Sequence, residues 1–475
     1  MRPEFFFFLT LYLVLLVTIG LKFSRRMRSL EDFFLASRSL PASLIFLSLT
    51  ASWFGASSIL VTTDEAYRTG LRAVWLIGAP AVVTVLVFAA ALAGPIRRLE
   101  DLTLPDLVER RYGKTVRYLA AALILWYMVV LASSQMVALG QFIGSFLKIP
   151  YFWSLAVGTG AVLVYLLSGG LFSVVVTDVL QCLLLAGGVA GLAAYFVRHT
   201  TWAAAIQAGK AAGGGFLNPL AGAESNVLIA VSFILAWTIS PIAWQRVQAA
   251  RSVGQARWGF LASAGAFVVL YGLVVLIGIL ARALWNSREL SRPLISEVML
   301  AGLGPWLAGF LFVAVIAAIL STMDTAINTG ALTLTRDIFY RLLGPGRAAG
   351  PSGVRAGRAA TFMVAIAAFL VATRFQSILK TLGLSSEVMA EGLFVPGMAM
   401  LCLRRKSPLA GGLSLIMGGG FALTGFFSAL GLAPLGLPAW PFSVPYGVGL
   451  SLTGFIVGYL LDSLRLRGHR SDQKP

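Results

Sequence analysis

Apolar runs of about twenty residues, long enough to cross a bilayer as helices, recur along this chain with short connections between them. A backbone in lipid has no water to satisfy its amides and carbonyls, so each run closes its own hydrogen bonds as a helix or joins a closed barrel. Barrel strands alternate apolar and polar residues. These runs do not alternate, so the expected fold is an all-α polytopic membrane protein. Composition agrees. Of 475 residues, 58% are hydrophobic and 12% are charged, about half the charged share of a soluble domain, and the mean hydropathy is +0.86.

Thirteen transmembrane helices are expected, near 4–24, 42–65, 72–95, 117–147, 152–168, 174–198, 226–248, 257–285, 296–335, 358–374, 377–403, 408–430 and 440–462. They are called spans 1 to 13 below. The ninth is too long for one straight crossing; it projects from the bilayer or contains a separate short helix at 296–303. The run "FFFFLTLYLVLLVTIGL" has no small-residue cleavage site and is followed, not preceded, by basic residues, so it reads as a retained first helix rather than a signal peptide.

The net charge of +18 would suit a nucleic-acid binder if it formed a patch. It sits instead in short clusters between the apolar runs: Lys22, Arg25, Arg26, Arg28 and Arg38; Arg97, Arg98, Arg110, Arg111, Lys114 and Arg117; Arg336, Arg341, Arg347, Arg355 and Arg358; Arg404, Arg405 and Lys406. The odd-numbered connections and the C-terminal tail hold 26 of the 37 Lys and Arg. The positive-inside rule then places the N-terminus outside and the tail, 463–475, in the cytoplasm of a cell membrane. No connection is long enough for a large soluble domain; the outer loop 199–225 is rich in Ala and Gly. Cys182 and Cys402 both fall in apolar runs and read as small buried hydrophobes, while His199 and His469 lie at segment ends and suggest no metal site.

Two spans carry helix-weakening residues at mid-depth. Span 2 contains "TASWFGASS", which gathers Thr50, Ser52, Gly55, Ser57 and Ser58; span 7 contains Ser240 followed by Pro241. Gly and Ser loosen a helix, and Pro removes an amide donor. Each could be a packing site or a simple kink. The pair says more, because spans 2 and 7 are five apart. Interrupted helices at corresponding positions of two halves point to a transporter site. The halves are spans 2–6 (42–198) and 7–11 (226–403), with span 1 and spans 12–13 (408–462) peripheral, all within one transporter domain, 1–475. The unwound regions supply the expected solute floor: Trp53, Gly55, Ser57 and Ser58, with Ser240, Pro241 and Trp244.

Charge inside an apolar run is costly and marks function by default. Asp178 and Asp324 qualify; Glu391, in "MAEGLFVPG", is a weaker third that a helix end would let reach water. Asp324 lies in "AAILSTMDTAINTG", 317–330. Ala318, Ser321, Thr322, Thr325 and Thr329 share one face of that helix by their spacing. Ser and Thr hydroxyls often bond back to their own helix. Hydroxyls and loosened carbonyls, that of Ala318 among them, are also the neutral oxygens that suit sodium.

At these residues the chain resembles the sodium:solute symporter family. The stretches that carry the resemblance are "LTASWFGASSILVTTDEAYRTG", "GPIRRLEDLTLPDLVERRYG", "GGLFSVVVTDVLQ", "WQRVQAARSVGQARWG" and "AAILSTMDTAINTGALTLTRDIF", in order across about 30–405. The resemblance implies the five-plus-five inverted repeat of LeuT-like (APC superfamily) transporters, alternating access, and Na+ as coupling ion with no other cofactor. It implies sodium ligands at the carbonyls of Ala51, Phe54 and Ala318 and the hydroxyls of Ser321 and Thr322. Asp178 matches an acid of span 6 that supports sodium binding. Some members hold a second sodium at positions that are Asp324 and Thr325 here; an acid replacing a hydroxyl changes that geometry, and a proton could substitute.

The implied activity is sodium-coupled import of a small organic solute. Sugar-transporting relatives place Glu and Gln where this chain has Ser57 and Ser58, which lowers a sugar reading and favours a small carboxylate or an amino acid. A proton-coupled transporter of the same fold, a sodium/sugar symporter and a passive channel are the alternatives. A membrane enzyme would need an acid/base pair or metal cluster near an interface, and none is visible. A transporter-like sensor would carry an appended signalling domain, and none follows span 13.

Overall fold

The computed structural model describes residues 3–24, 38–99, 103–213, 215–285, 289–290, 292–343, 351–403, 405–432 and 436–471. Arg25, Arg26, Arg28, Arg347, Arg404 and the last four residues of the tail lie outside the described residues. The side chains of 168–173 are likewise not described.

The described chain is helical almost throughout. Helix α1 is Pro3–Ser24. Span 2 comprises α2 (Ala42–Trp53), a wide π-helical turn (Ser57–Val61) and α3 (Thr62–Thr69). Span 3 is α4 (Gly78–Val87) and α5 (Ala93–Arg98), joined by a second wide turn, Phe88–Leu92. A short α6 (Leu104–Tyr112) leads into α7 (Lys114–Leu147), the fourth span.

Helix α8 runs without interruption from Tyr151 to His199. The turn expected between spans 5 and 6 is therefore not a break in the helical trace, although Tyr151–Leu167 and Val174–His199 remain separate apolar stretches. The connection 199–225 holds a small helix, α9 (Trp202–Ala211). Span 7 is α10 (Ala223–Thr238) and α11 (Pro241–Ala249), bent by 43°. Span 8 is α12 (Val253–Leu284).

The separate short helix expected before span 9 is α13 (Leu294–Ala301). It precedes α14 (Pro305–Leu332), which continues through a wide turn, Thr333–Phe339, into α15 (Tyr340–Leu343). Span 10 is α16 (Pro351–Ala372). Span 11 is α17 (Ile378–Glu387), a wide turn (Val388–Leu393) and α18 (Phe394–Cys402). Span 12 is α19 (Pro408–Ser414), a wide turn (Leu415–Gly419) and α20 (Gly420–Ala429). The last helix, α21, is Val444–Ser471, so the tail stays helical past residue 462.

All thirteen expected segments are helical where described. Among the described residues nine helices pass a strict test of length and hydropathy, and ten do if the bent pair counts as one span. The shortfall has physical causes. Span 2 is broken in the middle, span 5 is short, and span 11 carries Lys380, Glu387 and Glu391.

The straight α12 braces the broken span 2. Gly259 lies against Ile45 of α2, and Gly278 against Ala66 and the Thr63 carbonyl of α3. Small residues of this kind let membrane helices approach closely. Helix α14 is the central element, buried on all sides from Leu311 to Leu332. Cys402, expected to be buried, is exposed, whereas Cys182 is buried. Glu391, expected to reach water, is fully buried because α20 and α21 pack over span 11.

One end of the bundle is closed by charge. Arg117 of α7 is 1% exposed. It meets Glu109 at 2.6 Å, Asp337 at 3.0 Å and Asp106 at 3.5 Å. Asp106 also pairs with Arg336 at 2.9 Å and Arg341 at 3.2 Å, and the Thr103 hydroxyl donates to Asp337 at 2.8 Å. Helices α6 and α7 are thereby tied to the end of α14 and its wide turn.

Candidate functional site

Helix α2 stops at Trp53 because Phe54 leaves helical geometry, at φ −94° and ψ 64°. The chain turns through Gly55 before the wide turn begins. Gln135 of α7 holds this gap open: its Oε1 accepts the freed Ala56 amide at 3.0 Å. A methyl group on Gly55 would run into the Thr322 hydroxyl and the Gln135 Oε1. Glycine is the residue that permits this approach of backbone to α14.

The Ser321 hydroxyl bridges the gap from α14, lying 2.8 Å from the Ala51 carbonyl and 2.9 Å from that of Ala318. The Thr322 hydroxyl is 3.5 Å from the Ala318 carbonyl. Four of the five groups named for sodium are thus linked in a chain of contacts, and Phe54, at 0% exposure, stands at the break itself.

A charged cluster adjoins these oxygens. The Asp178 Oδ2 accepts from Ser48 at 2.5 Å, from Ser52 at 3.3 Å and from the Arg246 guanidinium at 3.4 Å. Arg246, from α11, also donates to Ser48 at 2.9 Å. The Ser52 and Thr325 hydroxyls are 3.0 Å apart, which joins the cluster to α14. The Tyr165 hydroxyl donates to the Asp324 Oδ2 at 2.9 Å. Asp178, Asp324 and Arg246 are all 0% exposed.

A pocket lies between the two breaks. Its polar groups are Ser52, Ser57, Gln135, Ser240 and Thr322, with the bare backbone of Gly55. Trp53, Tyr127 and Trp237 form an aromatic wall, in which the two indoles are 5.7 Å apart. No charged side chain lines it. Ser58 points elsewhere, 2.7 Å from the Tyr271 hydroxyl. Pro241 and Trp244 line a second cavity, nearer the charged end. Pro241 is the first residue of α11, where a missing amide costs nothing. The Trp244 indole donates to the Thr238 carbonyl at 3.1 Å, across the break.

Gln135 and Arg246 were not singled out from sequence. Gln135 had a signal, the polar triplet Ser133-Ser134-Gln135 inside an apolar run. Arg246 stood near the end of span 7 with nothing local to mark it, and its partner is 68 positions away.

Broken helices that meet around neutral oxygens, beside a pocket inside a helical membrane bundle, define a secondary transporter. The chain belongs to the sodium:solute symporter family, whose sequence profile matches residues 33–403. It is 28% identical to a sodium/glucose cotransporter of Vibrio parahaemolyticus, over 83% of this chain and 78% of that one. It is 25% identical to high-affinity choline transporter 1 of Drosophila melanogaster, over 90% and 72%. Among solved structures it is similar to a Na+-coupled sialic acid symporter captured substrate-bound and outward-open, with a TM-score of 0.80, 16% identity and 97% of each chain covered. The fold is accordingly LeuT-like, and the protein is an integral membrane transporter that couples Na+ to the movement of a small solute by alternating access.

Proposed function

We propose that the protein imports a small carboxylate or amino acid with sodium bound between spans 2 and 9. The ligands are the carbonyls of Ala51, Phe54 and Ala318 and the hydroxyls of Ser321 and Thr322. The observation that carries the ion site is the contact of Ser321 with both the Ala51 and Ala318 carbonyls. These are the oxygens a sodium ion would draw together.

The solute sits in the central pocket on Trp53, Gly55, Ser57 and Ser240. With no charged side chain there, a carboxylate is met by hydroxyls, by Gln135 and by the neighbouring sodium, while the aromatic wall takes the apolar body. An outer cavity containing Arg68 and Arg292, with one acid, Asp64, supports the reading. Its excess of guanidinium attracts anions. The repeats are 42–198 and 226–403, the N-terminus is outside, and the tail from residue 463 is cytoplasmic.

Proteoliposomes given an inward sodium gradient and a panel of radiolabelled amino acids, monocarboxylates, pantothenate, choline and sugars test this. Sodium-driven accumulation of an amino acid or a monocarboxylate is expected, electrogenic at one sodium per zwitterion and electroneutral at one sodium per monocarboxylate anion. Accumulation of a sugar alone, or uptake driven by protons and not by sodium, overturns it.

Asp178 acts on the ion rather than the solute in this reading. Asp178→Asn keeps the acceptor for Ser48, Ser52 and Arg246 but removes the charge. The half-saturating sodium concentration is expected to rise several-fold, with a smaller change in solute affinity at saturating sodium. The opposite pattern would place Asp178 in the solute site.

A further inference from the structure

Span 11 carries two buried acids that the sodium site and the pocket do not use. Glu387 is the last residue of α17, and Glu391 lies in the wide turn that follows. Their exposures are 2% and 0%. The Glu387 Oε1 accepts the Ser443 hydroxyl, at the N-terminal end of α21. The remaining three oxygens, the Glu387 Oε2 and both of Glu391, have no hydrogen-bond partner.

The Glu391 carboxyl rests directly on Gly447, where any Cβ would overlap it, and its backbone carbonyl rests on Gly418 in the same way. Gly418 belongs to the wide turn of span 12, so two wide turns face each other at this seam. Wide turns of this kind recur at functional sites. The seam is close-packed on Glu391 and leaves no room for a hydrated cation. A proton needs none.

On its own span the neighbouring acid is Glu387, four residues or about one helical turn earlier. Span 12 contributes no ionisable side chain between Pro408 and Ala429. On α21, Asp462 and Arg465 lie at the far end, and Asp462 is engaged with Ser407 and the Leu409 amide. Lys380 is exposed, two turns before Glu387. On α7, Lys114 and Arg117 belong to the opposite, charged end of the bundle. Helix α10 also packs on this turn, and its one charged residue, Glu224, stands at its start. Among the described residues no cation therefore neutralises the pair.

We propose that Glu387 and Glu391 form a proton-binding site, with one proton held by Glu391. Two carboxylates in one low-dielectric site cannot both ionise at low cost. The single remaining negative charge is met by the Ser443 hydroxyl and by the N-terminal end of the 28-residue α21, whose dipole favours an anion. The site is separate from the sodium site. It is tied to the transport pocket through α17, which places Leu382 in the pocket wall. Movement of span 11 on the wide turn would open the seam and admit water to the pair, so the proton is bound and released with the conformational cycle.

Infrared titration of the purified protein in lipid tests this without knowledge of the solute. The expected result is a protonated-carboxyl carbonyl band that persists at neutral pH in the wild type and loses one component in Glu391→Gln. A parallel melting series should show wild-type stability falling more steeply on alkalinisation than that of Glu391→Gln, which a merely structural side chain would not produce. If Glu391→Gln does not accumulate, Glu391→Asp should shift the band. Absence of the band in the wild type, an unchanged band in the variants, or its displacement by sodium would overturn the proposal.

Discussion

Ser321→Ala and Thr322→Ala are each expected to raise the sodium concentration for half-maximal uptake by roughly ten- to hundredfold. A neutral oxygen facing a charge contributes about 1.5–3 kcal/mol, and each ~1.4 kcal/mol is tenfold in affinity. Ser321 carries the larger share of the local geometry, because its hydroxyl reaches both Ala51 and Ala318. Thr322→Ser keeps the oxygen and should be mild. In Ser321→Ala apparent solute affinity should weaken only through the ion, and the deficit should shrink as sodium rises, since the two affinities are reciprocally linked; Thr322→Ala, which also faces the pocket, should keep part of its solute deficit at saturating sodium. Sodium-dependent uptake in proteoliposomes checks this. Normal sodium dependence in both alanine variants would reduce the hydroxyls to partners of neighbouring carbonyls.

Arg117→Ala should have the second large effect, on stability rather than on the ion. The guanidinium faces Glu109, Asp337 and Asp106, and Asp337 is fully buried. Removing one partner of a buried ion pair typically costs about 3–5 kcal/mol because the other charge stays behind. A marked fall in melting temperature in detergent and in folded yield is expected, with Arg117→Lys losing less. Arg117→Ala, Asp337→Asn should recover part of the loss by removing the stranded carboxylate. A single alanine variant that melts like the wild type would show that Arg336 and Arg341 suffice to hold the closed end.

The two predictions differ in how far the sequence could lead to them. Hydropathy located the helices, since each apolar run must satisfy its own backbone in lipid. The breaks in spans 2 and 7 were legible because Gly, Ser and Pro act locally. The polar face of α14 was legible by its period. What escaped were pairings between distant positions. Arg117 and Asp337 are 220 residues apart, and Arg246 and Asp178 are 68 apart. Arg117 stood in a basic cluster that topology explained without a partner, and Arg246 stood near the end of span 7 with nothing local to mark it. The junction of spans 5 and 6 also escaped, because the Gly169-Gly170 pair permits a turn but does not compel one.

Thr322 belongs to two compartments at once, since its hydroxyl reaches the Ala318 carbonyl on one side and the solute pocket on the other. With sodium bound as proposed, the threonine becomes a thin partition with an ion behind it and a solute in front. Anything pressed against the front lengthens the dwell time of the ion behind. The departure of either loosens the other. A solute too small to touch the partition would let sodium escape alone, so the depth of the pocket sets how tightly the two fluxes are geared.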